Sequence, residues 1–186
     1  MAAFSLADIP VIETERTVLR PHRLEDFDAY AGMWADPVVT RFIAKPRTRE
    51  ESWQRFLRHA GSWSLIGYGF WAIEEKATGR FIGEAGFHDL KRDITPSIEG
   101  IPEAGWGFVA DMHGKGIASE TVAAFVRWAD SRFAGPTVCI IDPANGASLR
   151  VAEKNGYRET GRTTYHGEPT ILLERRGSVG SAAHGG

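Results

Sequence analysis

The sequence predicts an α/β (α+β) domain, with a mixed, mostly antiparallel twisted sheet of six to seven strands flanked by about four helices. Two observations carry that class. The spacing of apolar residues changes repeatedly along the chain between a helical period of three to four and a strand period of two. In addition, the stretch "DMHGKGIASET" (111–121) puts two glycines around a lysine where an extended apolar run gives way to a helical pattern.

Each element has its own signal. "RTVLRPH" (16–22) reads as a strand, and "LEDFDAYAGMWAD" (24–36) as a helix, with Phe27, Tyr30, Ala31 and Trp34 at helical spacing. "TREESWQRFLRHAG" (48–61) is a second helix, opened by a capping box of Thr48 and Glu51. The period then becomes two: "YGFWAIEEK" (68–76) and "RFIGEAGFHDL" (80–90) form a hairpin around "ATGR". "KRDITPSIEG" is a loop, and "IPEAGWGFVA" (101–110) is the next strand. After the glycine corner, Ala118, Val122, Phe125, Ala129 and Phe133 share one face of a long amphipathic helix. "PTVCIID" (136–142) is a buried strand, and "NGASLRVAEKNG" (145–156) a short helix that Gly156 closes. "YRETGRTTY" and "PTILLERR" are final strands around the turn "HGEP".

A chain of 186 residues, 42% hydrophobic, fits one domain with a real core, spanning 1–176; the glycine- and serine-rich tail 177–186 is expected to be disordered. The net charge of −2 comes from interspersed acids and bases, which points away from nucleic acid and from a polybasic membrane anchor. The single cysteine, Cys139, forms no internal disulfide, and the first residues lack the basic start and apolar stretch of a signal peptide. A cytoplasmic protein, monomer or homodimer, is the expectation. The six histidines show no metal-ligand spacing, so no metal is expected.

Strand, glycine corner and helix together form a unit suited to phosphate, because the first turn of a helix carries unpaired N–H groups and partial positive charge. A Walker A loop is excluded, since Lys115 is followed by Gly116 where Ser or Thr is required. A dinucleotide fingerprint fits poorly: Ser119 replaces its third glycine, and too few strands follow for a doubly wound sheet. The glycines could also serve a tight turn alone.

"PEAGWGFVADMHGKGIASETVAAFVRWA" resembles the acetyl-CoA-binding core of the GNAT superfamily of N-acetyltransferases, with Gly114, Gly116 and Ala118 at the family's glycine-rich corner. "NGASLRVAEKNGYRETG" and the opening "IETERTVLRPHRLEDFDAYAGMWADPVVTRFI" are similar to its RimJ/RimL-like branch, which acetylates ribosomal-protein N-termini. The resemblance covers residues 11 to 176. It implies a splayed pair of parallel strands, acetyl-CoA as donor, and an amine acceptor, either a protein N-terminus or a small molecule. Amides of His113 through Ser119, with Ile117 and Ala118 among them, would cradle the pyrophosphate, and Lys115 would add charge. Phe108 and Val109 would pair with the pantetheine arm, with the Val109 N–H polarising the thioester, and Asn145 would reach the arm from the mouth of the splay.

The resemblance also suggests the chemistry. Glu103 is the candidate base, with Glu84 in reserve. Ala152 stands where many members carry an acidic tyrosine, which moves attention to Ser148 as the group facing the leaving thiolate; a non-catalytic CoA-binding module is the alternative reading. Trp106, Trp34, Phe42, His88 and Tyr165 are candidates to line the acceptor site.

Overall fold

The structure, a computed structural model, describes residues 5–177, so all of the expected tail except Gly177 lies outside the described residues. Eight strands form one sheet: β1 (Ile12–Glu13), β2 (Thr17–Arg20), β3 (Phe70–Glu75), β4 (Phe81–His88), β5 (Glu103–Phe108), β6 (Thr137–Ile141), β7 (Arg158–Tyr165) and β8 (Glu168–Arg175). Their order is β1-β2-β3-β4-β5-β6-β8-β7. The strand beyond the expected seven is β1, whose two residues are too few to show a period. Every neighbouring pair is antiparallel except β5 and β6.

Five helices flank the sheet: α1 (Phe27–Ala35), α2 (Pro37–Thr40), α3 (Arg49–Ile66), α4 (Ile117–Asp130) and α5 (Gly146–Lys154). The helix expected over 24–36 begins as a 3-10 turn, Leu24–Asp26, and stops before Asp36. Proline crowds the residue before it out of helical geometry, so Asp36 is extended, at φ −76° and ψ 118°. Its carboxylate then accepts the Val38 N–H at 2.8 Å and starts α2, the helix that the sequence did not announce. The capping box of Thr48 and Glu51 opens α3, which runs on to Gly67 in a left-handed conformation, φ +76°. Helix α4 ends at Asp130, so Phe133 lies beyond it, although its ring still packs on the same core.

Strand alternation divides the core between two faces of the sheet. Trp71, Ile73, Ala85 and Phe87 meet Val122, Phe125 and Ala129 of α4. Ala72 and Phe81, on the other face, meet Tyr30, Met33 and Trp34 of α1 and Phe56 of α3. Between β5 and β6 the sheet opens. The two strands are in register only at Glu103 opposite Val138, and the Val138 N–H donates to Pro102 O at 3.1 Å at the base of a widening wedge. On their outer edges both strands are fully paired, β5 with β4 over six residue pairs and β6 with β8 over five.

Close approach in the sheet demands glycine at Gly86, where φ is +154° and a Cβ would stand 2.3 Å from Gly69 O and 2.7 Å from Phe70 Cα. Gly86→Ala is expected to cost about 2 kcal/mol or more, because backbone rather than a movable side chain blocks the methyl. Gly135→Ala, whose Cβ meets nothing within 4 Å, should change stability by less than about 0.5 kcal/mol. Thermal or urea melts of the two variants check the contrast.

Candidate active site

A cavity of about 640 Å³ fills the wedge. It brings together Glu103, Glu84, Ser148 and Asn145 with Trp106, Trp34, Phe42, His88 and Tyr165, residues drawn from β4, β5, α1, α5, β7 and the segment after α2.

The backbone of β5 presents a free edge to this cavity. The Val109 N–H donates to Ile82 O at 3.0 Å, on the β4 side, which fixes the alternation along the strand. Glu103, Gly105 and Gly107 therefore exchange hydrogen bonds with β4, while Trp106 and Phe108 turn their peptide groups into the wedge. This corrects the expectation for Val109: its N–H is spent within the sheet and is not available to a ligand. The groups that face the gap are those of Trp106 and the N–H of Phe108, whose carbonyl already accepts from His113 Nε2 at 2.9 Å.

The corner that follows is a cradle of amides. The His113 N–H donates to Ala110 O at 3.1 Å, so that amide, too, is spent and the cradle begins at Gly114. Gly114 and Gly116 are left-handed, at φ +74° and +79°, and a Cβ on Gly114 would meet nothing within 4 Å. The first helical bond of α4 runs from Glu120 N–H to Gly116 O at 3.2 Å, and Gly116 has no side chain to cap it, which leaves the amides of Ile117, Ala118 and Ser119 without intrahelical partners. Arg16, a hundred residues upstream, reaches the same corner: its guanidinium donates to Lys115 O at 2.9 Å and pairs with Glu120 at 2.7 Å. Nothing in the local sequence around Arg16 signals this, because only the β2 position beside α4 brings the two together. The geometry fits a pyrophosphate: open backbone donors and room in front of the glycines, with Lys115 between them and the Arg16 charge balanced by Glu120.

On α5, Asn145 is the helix cap, its Oδ1 accepting the Ser148 N–H at 3.1 Å. The Ser148 side chain has no capping role and lines the cavity. Ala152, one turn on, is fully buried in the main core cluster, so a tyrosine placed there would overpack the core. Cys139 also borders the wedge, and burial pushes its thiol far above the ordinary range, so it remains a neutral thiol.

Two buried carboxylates lie on one face of the sheet. Glu103 receives two hydrogen bonds from Arg92, at 2.6 and 2.9 Å, and its Oε1 is 3.1 Å from His88 Nε2, a contact not aligned as a hydrogen bond. Burial raises its pKa, but the His88 ring and the Arg92 guanidinium together outweigh burial and hold it below the usual carboxylate value. Burial lowers the pKa of His88, with Glu103 opposing, so the imidazole is neutral near pH 7. Glu84 is bound by Arg55 at 2.7 Å and lies 2.7 Å from His59 Nε2 and 3.8 Å from His22 Nε2. Desolvation opposes its charge, yet Arg55 and His59 hold it far below the ordinary value. His22, His59 and Glu84 thus converge, with one donor atom each within 4.8 Å of the others, although their sequence spacing gives no metal signature. The rings of His22, His59, Phe70 and His88 stack in succession at 4.4, 5.6 and 5.1 Å and so connect the two carboxylate clusters. Among the described residues no helix is long and apolar enough to cross a membrane.

Residues 16–158 match the acetyltransferase (GNAT) domain family. The chain is 33% identical over 173 residues to YkkB of Bacillus subtilis, an uncharacterized protein, covering 88% of this chain and 94% of that one. Among solved structures it is similar to a GnaT-family protein of Bordetella pertussis, with TM-score 0.80, 30% identity, and 90% and 100% of the two chains covered. The RimL ribosomal L7/L12 alpha-N-protein acetyltransferase in complex with coenzyme A shares the fold, at TM-score 0.73 and 17% identity, with 90% and 98% covered.

Buried neutral histidines make stability depend on pH in a definite direction. Burial depresses the folded-state pKa of His22 and His88, so the unfolded chain takes up protons that the fold refuses once pH falls below about 6.5. Stability is therefore fully present above that value and is lost as pH falls toward 5. Glu84 and Glu103, whose pKa values are lowered, begin to weaken the fold only as pH falls through the ordinary carboxylate value of about 4.5, below this window. Melting temperatures measured from pH 7 to 5 should fall, and His22→Gln, which binds no proton in either state, should flatten that slope.

Proposed function

The chain belongs to the GNAT acetyltransferase family, and on that premise we propose that it is an N-acetyltransferase that moves an acetyl group from acetyl-CoA to a primary amine by direct attack in a ternary complex. The observation that carries this reading is the continuity of the wedge, in which a free strand edge leads from an open amide cradle to a buried His88–Glu103 pair. Acetyl-CoA supplies an activated thioester. The chain supplies positioning, polarisation and a proton acceptor.

The amides from Gly114 to Ser119 hold the pyrophosphate, with Lys115 adding positive charge and Arg16 bracing the corner through Lys115 O and Glu120. The peptide groups of Trp106 and Phe108 bind the pantetheine arm as another strand would, and an N–H on this edge is the donor that stabilises negative charge building on the carbonyl oxygen. Asn145, its Oδ1 committed to the cap, offers its side-chain NH₂ to the arm.

An alkyl ammonium must lose its proton before it attacks. Glu103, already saturated by Arg92, is a poor direct acceptor, and the geometry favours His88. In this reading the Glu103 carboxylate, 3.1 Å from Nε2, takes a hydrogen bond from that nitrogen once the ring aligns with it, and Nδ1 keeps the basic lone pair. Glu103 then acts as a positioning residue, orienting the ring and stabilising the imidazolium that forms. Glu84, fully buried and bound by Arg55, is unsuited to the reserve role. Ser148 donates a hydrogen bond to the departing thiolate. The RimJ/RimL-like branch, a soluble cytoplasmic setting and a monomeric or dimeric state belong to the same reading.

Incubation with acetyl-CoA and a panel of amines should release free thiol; binding without release from any amine would leave a CoA-binding module instead. His88→Gln is expected to lower turnover by about 10² with acetyl-CoA affinity unchanged. Glu103→Gln should lower it less and move the acid limb of the rate profile to lower pH, because the lost carboxylate no longer supports protonation of His88. Ser148→Ala should slow thiol release without changing the melting temperature, since Asn145 carries the cap. Gly116→Val, which forces a β-branched residue to φ +79° and fills the space before the amides, should weaken acetyl-CoA binding at least tenfold in a chain that calorimetry shows to be folded.

A further inference from the structure

The cavity is electrically two-sided. The segment joining α2 to α3 carries Arg41, Lys45 and Arg47, and none of the three has an acidic partner among the described residues. Arg41 and Lys45 line the cavity directly. Glu84, which also lines the cavity, is already bound by Arg55 at 2.7 Å.

A second observation, independent of charge, points the same way. Trp34 Nε1 and Arg47 Nε are both buried and both without an acceptor. The Trp34 ring lies between two guanidinium groups, Arg55 at 4.4 Å and Arg47 at 5.9 Å from its centroid. Indole and guanidinium nitrogens can only donate, so both groups are buried donors, while Glu84 Oε2, likewise without a hydrogen bond, lies 2.7 Å from His59 Nε2. Buried donors left unmet are costly, and an oxyanion is the group that would meet them with charge of the right sign.

The opposite wall has the reverse character. Asp142, just after β6, and Glu168, at the start of β8, border the cavity without a cationic partner among the described residues, and Glu103 lies at its base. An ammonium is favoured there and an anion near Trp34.

Resting on the acetyltransferase reading above, we propose that the acceptor is a small zwitterion, an amine that carries a carboxylate, with the amine directed to the His88–Glu103 side and the carboxylate to Trp34, Arg41 and Lys45, where Arg47, 5.9 Å from the Trp34 ring, adds positive charge. One cavity holds both the unpaired cations and the His88–Glu103 pair, so an acceptor that reaches both is compact. Trp34 lies over Gly107, four residues along β5 from Glu103, a separation of about 13 Å between backbone positions that the side chains on both sides shorten.

Matched pairs test this: each of a set of amino acids against its own carboxamide, with thiol release from acetyl-CoA as readout. The acid should exceed its amide at least tenfold in kcat/KM, chiefly through KM, and the preference should shrink in 0.5 M salt as roughly expected for a screened charge. In the triple variant Arg41→Gln, Lys45→Gln, Arg47→Gln the ratio of acid to amide should fall toward one. Because both acceptors are compared on the same protein, partial unfolding cancels, and Lys45→Gln alone, at an exposed position, should lower the ratio in the same direction. Equal use of acids and amides, or better use of acidic peptides than of free amino acids, overturns the proposal. Where no amine releases thiol, calorimetry with N-acetylphenylalanine and N-acetylphenylalaninamide separates the two failures: tighter binding of the acid keeps the anion site while the transferase reading falls, and equal or absent binding removes the anion site.

Discussion

Everything distinctive in this fold depends on one interrupted pairing. β5 and β6 meet at Glu103 and Val138 and then part, and each is bound along its other edge by a full antiparallel neighbour. Neither can rotate to close the gap without breaking that outer ladder, so the wedge is held open from both sides. Backbone groups inside a protein demand partners, and a strand edge lined by unmet N–H and C=O groups is a place for an extended ligand to complete. The helix crossing from β5 to β6 begins at the wide end of the same gap, which is why the amide cradle and the free edge are continuous.

Around the wedge, the sheet face toward α1 and α3 carries two carboxylates, each with an arginine and a histidine. Burying such groups is expensive, and the networks are stable because every charge has a counter-charge within hydrogen-bond reach: Arg55 for Glu84, Arg92 for Glu103. Glycine makes the arrangement possible. Gly105 and Gly107 share that face of β5 with Glu103, and the absence of side chains leaves the room that Phe70, His88 and Trp34 occupy. The same low dielectric that strengthens these pairs also keeps His88 neutral, so a structural device and a chemical one have a common cause.

The polarity of the cavity follows from topology in the same way. One wall comes from the segment between α2 and α3, the other from the end of β6 and the β7–β8 hairpin. No helix or strand carries both charge types to the site, so the two sides differ in sign without any local pattern that would reveal it.

The sequence alone determined most of the elements, though not β1, α2 or the strand order. The period changes, the Thr48–Glu51 capping box, the glycine corner and the closing Gly156 are local, and local features are written in consecutive residues. The candidate site was legible where a short motif carries it, as at Gly114 and Gly116, or where the family resemblance marks a position, as at Glu103, Ser148 and Asn145. What tertiary structure decided is everything set by hydrogen-bond direction and by long-range contact. Whether Val109 or Trp106 faces the gap depends on which partner β5 takes on each side, and an even or odd shift of one residue reverses the answer. The amide of His113 is spent because a 3-10 turn precedes it, Ala152 is buried because α5 turns it into the main core, and Arg16 reaches Lys115 across a hundred residues. The pairing of Arg92 with Glu103 and of Arg55 with Glu84, which sets the charge state of both acids, joins residues that no spacing rule connects. Proximity in space is a property of the closed sheet, and the chain acquires it only on folding.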